Sequence, residues 1–195
     1  MMKLVLPTWN SDMFKGWGSI FRMTLCVISA MLISQSVSWS QPKSAGASFA
    51  FTGIAFSYEQ FTRQDGSFIE ASLKTELSDV FLDKKNYPGI SGSVSWNRPL
   101  REWDSINGNK MTFFTGPGVL VGYGPDHGTT DGLFFGLKAR IGVECSFEKK
   151  VILSVSLSPV IGSHIVFLND RVVMRYYRNG LIYSLIPEIG IKYRF

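Results

Sequence analysis

The sequence predicts an all-β fold, a closed antiparallel transmembrane β-barrel of eight strands. Three observations carry this. The chain ends on a run in which Tyr183, Leu185, Pro187, Ile189, Ile191, Tyr193 and Phe195 alternate with Ser184, Glu188, Gly190, Lys192 and Arg194, with Ile186 the exception. A period of two denotes a strand with one apolar and one polar face. Leu133, Phe135, Leu137, Ala139, Ile141, Val143, Cys145 and Phe147 repeat the pattern against Gly136, Lys138, Arg140, Gly142, Glu144 and Ser146. That run exceeds the roughly 9–11 residues a tilted strand needs to cross a bilayer. Finally, no apolar run reaches the ~18 residues of a membrane-spanning helix, while 15 Phe, 7 Tyr and 5 Trp can furnish aromatic girdles.

The first forty residues read differently from the rest. Met23 to Ile33 is apolar but short; it follows Lys15 and Arg22 and precedes Ser38-Trp39-Ser40. This is the pattern of a signal peptide, so residues 1–40 are expected to be cleaved after Ser40, leaving 41–195 as the barrel domain. Cys26 lacks a preceding Leu-small-small pattern, and translation from either Met1 or Met13 suits the leader. Loss of Lys3, Lys15, Arg22 and Asp12 lowers the formal charge from +5 to +3. A charge so mild and so dispersed excludes nucleic acid as a partner class. Cys145 is then the only cysteine, a small hydrophobe on the apolar phase of its strand.

Alternation marks strands near 54–62, 67–77, 89–98, 110–123, 132–148, 150–163 and 182–195. Ile69, Ala71, Leu73 and Leu77 oppose Glu70, Ser72, Lys74 and Glu76; Val94 and Trp96 oppose Ser93, Ser95 and Asn97. Gly116, Gly118 and Gly122 occupy the polar phase of 110–123, which suits a narrow lumen where facing side chains compete for space. Seven strands are evident, and closure with both termini at one end requires an even number. The eighth is either a short strand hidden before the phase slip at Thr52-Gly53, which would otherwise be a bulge, or residues 164–177 beyond Asn169-Asp170. Thr75 to Lys85 places Leu77, Val80 and Phe81 near helical spacing and predicts a helical turn within a loop.

The segment Pro187-Glu188-Ile189-Gly190-Ile191-Lys192-Tyr193-Arg194-Phe195, together with the strand ladder over 46–195, resembles the small outer-membrane barrels of Bacteroidetes envelopes. The resemblance implies residence in the cell outer membrane, contact with its lipid and lipopolysaccharide, and reading of Ile189, Ile191, Tyr193 and Phe195 by the barrel-assembly machinery. It implies no activity, because such families are largely uncharacterised.

Candidate chemistry is sparse. Ser163-His164 is the only adjacent pair fit for a lipid-modifying enzyme, yet strand neighbours point to opposite faces. Asp126, His127 and Asp131 fall short of the six or more oxygens that calcium requires, and no cofactor is implied. The polar phases collect Glu70, Glu76, Glu144 and Glu188 with Lys74, Lys138, Arg140, Lys192 and Arg194. Charges of both signs in so narrow a space should pair and fill the lumen, with Lys138, Arg140, Lys192 and Arg194 reaching Glu144 and Glu188. Arg171, Arg175 and Arg178 stand beside Tyr176 and Tyr177, where arginines could meet lipopolysaccharide phosphates and tyrosines the headgroup zone. The expected role is structural or surface interaction rather than catalysis. A lipid A-modifying enzyme at the outer rim and a narrow pore are the alternatives.

Overall fold

Each alternating run becomes a strand, because in hydrocarbon a backbone whose polar groups are not satisfied within the protein is too costly to persist. The computed structural model describes residues 41–62, 65–82, 88–104, 109–127, 130–148, 150–168, 171–183 and 185–195. The expected leader, 1–40, lies outside the described residues. The strands in chain order are β1 (Lys43–Ala50), β2 (Gly53–Phe61), β3 (Phe68–Glu76), β4 (Gly89–Asp104), β5 (Lys110–Gly124), β6 (Gly132–Phe147), β7 (Val151–Leu157), β8 (Val160–Leu168), β9 (Arg171–Tyr176) and β10 (Glu188–Arg194). Two single helical turns, α1 (Ser78–Phe81) and α2 (Asn179–Ile182), follow β3 and β9.

These ten segments make eight staves. Strands β1 to β6 pair antiparallel in sequence, and β6 continues onto β7 and β8. The register along β6 runs without slip from Phe147↔Val151 through Ile141↔Leu157 and Lys138↔Val160 to Leu133↔Ile165. β7 and β8 are therefore one stave, interrupted where Pro159 lacks an N–H to donate. The eighth stave is also divided: β9 pairs with β8, and β10 pairs with β7 on one side and β1 on the other. The β1–β10 ladder closes the ring, ending where Lys43 N–H donates to the Phe195 carbonyl (3.1 Å) and Phe195 N–H donates back (2.8 Å).

The hidden strand is β1, joined to β2 by the tight turn at Phe51-Thr52, so the barrel begins at Lys43 rather than at residue 46. Residues 171–176 also form a strand, but as the loop-end piece of the stave that β10 completes. The expected strand over 182–195 is correspondingly too long. Asn179–Ile182 is a helical turn and the ladder begins only at Glu188, so the apparent alternation of Tyr183, Leu185 and Pro187 has no strand partner. Periodicity alone cannot tell a strand from an irregular segment that bridges a break in the wall, where Leu185 and Pro187 lie exposed and Tyr183 is half-buried. The helical turn expected between residues 75 and 85 is present as α1.

Faces follow the alternation. Leu137 is 70% exposed on the outer wall, whereas its neighbour Lys138 is 9% exposed and Arg140 and Lys192 are each 3% exposed. Ile141, Leu153 and Ile191 also lie outward. Polarity is thus inverted relative to a soluble barrel, whose apolar face would be inside. The polar-phase glycines serve the packing expected of them: a Cβ on Gly122 would sit 2.3 Å from the Phe134 ring, which fills that level of the lumen.

Closure depends on backbone approach at the β1–β10 seam. A Cβ on Gly46 would stand 2.2 Å from the Ile191 carbonyl oxygen. Gly46→Val should therefore remove most of the heat-modifiable, folded protein from membrane fractions. Phe49→Val, outward on the same strand, should leave that band unchanged.

Candidate functional site

The lumen is organised in layers, beginning at the end that carries the termini. Phe68 packs edge-on against Phe114 (5.4 Å between centroids) and beside Phe61 (5.3 Å), and the Arg140 guanidinium lies over the Phe114 ring at 5.2 Å. The ionic layer adjoins them. Lys192 on β10 donates to Glu144 on β6 (2.7 Å), to Glu70 on β3 (3.4 Å) and to Glu59 on β2. Arg140 on β6 pairs with Glu70 and reaches Ser156 Oγ at 3.4 Å, and Ser44 on β1 donates to Glu59. Three carboxylates and two cations from four staves thus meet across the barrel, all deeply buried. Lys138 lies apart from this cluster and donates to Ser93 Oγ at 3.0 Å.

The pairing differs in detail from the sequence expectation. Glu59, fully buried, is a centre of the network, although it was absent from the expected set. The alternation of Ile54, Phe56 and Tyr58 already places it on the inner phase, and that was the available signal. Glu188 accepts from Ser48 rather than from a base, and Arg194 stacks over Phe61 at 4.7 Å instead of joining the acids. Periodicity gives the face of a side chain; which charges meet depends on stagger around the ring.

Towards the loop end lies a cavity of about 70 Å³, lined among others by Lys74, Glu76, Lys138, Tyr177 and Glu188. At about 10–15 Å³ for each water it has room for a handful. Lys74 and Glu76, neighbours on the inner face of β3, pair along its wall at 3.0 Å. Its roof is the segment that breaks the eighth stave. Tyr177 stacks flat on Phe134 (4.6 Å, 1°) and packs with Val160, so it is buried in the lumen rather than seated in a headgroup zone as expected. Tyr176 does lie exposed on the outer face.

A carboxylate latches this roof. Asp126, from the β5–β6 loop, accepts from the backbone N–H of Arg178 (3.0 Å) and of Asn179 (2.8 Å), and Asn179 Oδ1 accepts from His127 N–H (3.1 Å). Asp126 thus works as a structural cap for α2. His164 is buried and engages the Gly124 carbonyl through Nε2 at 3.0 Å. It faces inward from β8 while its neighbour Ser163 takes the other phase, so the two side chains form no catalytic pair.

The arginines expected at the surface are exposed. Arg175 and Arg178 converge with Asp126 and Tyr176 around one surface pocket of about 300 Å³, whereas Arg171 stays at the tip of the β8–β9 hairpin. Ile189, Ile191 and Tyr193 face outward on β10, and Phe195 is exposed at its end.

A closed ring with an apolar exterior and a charged, hydrogen-bonded interior is a membrane-spanning barrel of the outer-membrane type. No protein-family model matches the chain, and no curated protein matches it in sequence. Among solved structures it is similar to the N-terminal β-barrel domain of Pseudomonas aeruginosa OprF, with TM-score 0.41, 11% identity, and 80% of this chain and 96% of that one covered. It is also similar to Ail, the attachment invasion locus protein of Yersinia pestis, with TM-score 0.31, 11% identity, and 80% and 95% covered. Ail in complex with the heparin analogue sucrose octasulfate gives TM-score 0.31, 12% identity, and 80% and 97% covered. The assignment of the fold rests on the strand ladder itself.

The ionic layer makes a quantitative prediction. Lys192→Met strands three carboxylates around an apolar side chain and should cost about 3–5 kcal/mol, the loss typical of a broken buried pair. Glu144→Gln should cost clearly less, because it removes one of the surplus negative charges. Urea unfolding of the folded barrel in lipid checks both. Equal effects would mean that the layer is screened by water.

Proposed function

We propose that this chain is a non-conducting structural barrel of the outer membrane, related to the small barrels of Bacteroidetes envelopes and exposing an arginine-bearing rim to lipopolysaccharide. The observation that carries the first part is the ionic layer. Lys192 and Arg140 hold Glu59, Glu70 and Glu144 across the lumen, and the roof under Tyr177 lies beyond it. An ion entering would have to displace paired charges in a space only wide enough for side chains.

Orientation follows from connection length. The termini lie at one end with the connections at 62–67, 105–109 and 148–150, while the longer connections at 77–88 and 125–131 lie at the other, with the β8–β9 hairpin. In barrels of this class the longer loops face outward, which puts Arg171, Arg175 and Arg178 at the cell surface. Guanidinium groups grip phosphate in a bidentate fashion, which suits lipopolysaccharide phosphates. The outward run Ile189, Ile191, Tyr193 and Phe195 is the segment offered to the assembly machinery. No catalytic role is assigned, since the one Ser-His neighbour pair is split across the wall.

Refolded protein in planar bilayers should show no stable conductance steps, and expression should leave the mass of lipid A unchanged. Steps that disappear in Lys138→Gln with Arg140→Gln would mean a pore lined by those residues. A shifted lipid A mass would mean an enzyme. Replacing Arg171, Arg175 and Arg178 together with Gln should weaken binding of lipopolysaccharide by roughly two- to fivefold per exposed contact, measured by titration into vesicles, with no change in thermal stability.

A further inference from the structure

A furrow crosses the lipid-facing wall. Pro117 on β5, Ala139 on β6 and Pro159 between β7 and β8 lie side by side, with Pro117 opposite Ala139 and the Ala139 N–H donating to the Pro159 carbonyl at 2.9 Å. On one side runs the ridge Val119, Leu137 and Ile161, matched in register; on the other runs Thr115, Ile141 and Leu157. Short side chains between two branched rows leave an open, mainly apolar groove of about 600 Å³, flanked by Trp96 and ending at Arg98. That volume is within the range of small-molecule sites, roughly 300–1,000 Å³.

Two features set the furrow apart from ordinary barrel surface. Prolines are rare in mid-sheet because they delete ladder bonds, and lipid cannot replace those bonds. Pro159 returns no hydrogen bond to the Ala139 carbonyl, so a backbone acceptor is left on the floor of the groove. Arg98, in turn, is an exposed cation next to Asn97, whose pairing with Phe68 ends the β3–β4 ladder. This is the end of the barrel that carries the termini. Asp65, in the loop below, is held under the usual carboxylate range first by hydrogen bonds from Ser67 and in lesser part by the charge of Arg98, so the guanidinium acts at the interface.

We propose that the furrow is a phospholipid site: one acyl chain lies along Pro117, Ala139 and Pro159, and the lipid phosphate meets Arg98. The occupant follows from place and charge. The groove opens onto hydrocarbon, so its filler is a chain, and Arg98 puts an exposed cation at its rim on the side of the headgroup layer, where phosphate is the abundant anion, while Lys138, also in the lining, turns its side chain into the lumen.

The test uses the full chain with Trp96 as its single tryptophan, the other four replaced by Phe. It is refolded into vesicles of digalactosyldiacylglycerol, which has no phosphate, containing a minority of dibrominated phosphatidylglycerol. Bromine quenches Trp96 on contact. Quenching should exceed the mole-fraction value by about two- to fivefold, the preference one exposed charge pair supplies. Arg98→Gln should abolish the excess, Arg98→Lys should keep part of it, and Ala139→Leu or Ala139→Phe should abolish it by filling the furrow. Heat-modifiability confirms that each variant is folded. Proportional quenching in the parent chain, or an excess that survives Arg98→Gln or both filling variants, would overturn the proposal.

Discussion

Lys43 and Phe195 exchange the last two hydrogen bonds of the β1–β10 seam, and everything else in the molecule depends on that seam being shut. A sheet placed in hydrocarbon has no solvent to satisfy an open edge. Closure pairs the first and last staves along the β1–β10 ladder and fixes which side of every strand faces lipid. It also explains why β1 is short and small-faced: Ala45, Gly46 and Ala47 must let the first and last staves approach. Once the ring is shut, the period-two pattern does the remaining sorting. A one-residue slip anywhere would turn lysines outward and leucines inward along the whole stave.

Closure creates the second constraint, a narrow interior that must be filled without an apolar driving force, since hydrocarbon lies outside. Polar groups fill it by satisfying one another. Ion pairs in such a place do not add much net stability over well-packed apolar residues. They do impose specificity, because Lys192 accepts only a stagger that brings Glu59, Glu70 and Glu144 within reach. A barrel closed with a different offset between β10 and β3 would leave these carboxylates unpaired. The ionic layer therefore discriminates between alternative closures, much as a single buried polar residue fixes register in a coiled coil.

The sequence was informative wherever the wall obeys period two over many residues. β6, with Leu133 to Phe147 alternating except at the inward Phe134, was readable nearly to its ends, and so were the outward and inward assignments of Leu137, Lys138, Arg140 and Lys192. It was least informative where a short element depends on its neighbours. β1 shows weak alternation because Ala and Gly occupy both faces, so only the ring reveals it. Tyr183 to Pro187 mimics a strand but belongs to the inserted segment, whose Ile186 and Tyr183 line the inner cavity. Glu59 was legible by phase and its partners were not, because which residues face across a lumen is a property of stagger rather than of any local window.

The inserted segment and the ionic layer also explain each other's position. An eight-stave ring has room for side chains but not for extra backbone, so any segment folded inward must displace the side chains at its level. Around the insertion the wall offers Ala50, Ala55 and Val160 beside the paired Lys74 and Glu76, whereas the five-residue ionic layer fills the terminal half. Tyr177 then completes the outer half by stacking on Phe134 and donating its backbone N–H to the Gly162 carbonyl at 3.0 Å. That bond extends the β8–β9 ladder one step past Ser163↔Tyr176, at the edge of the gap that separates it from the β7–β10 ladder ending at Ser156. Tyr183, which lines the inner cavity, also packs against Phe51 of the β1–β2 turn (6.3 Å between centroids). The break in the stave is thus sealed by the very residues whose insertion causes it, and Asp126 holds them there through the first turn of α2.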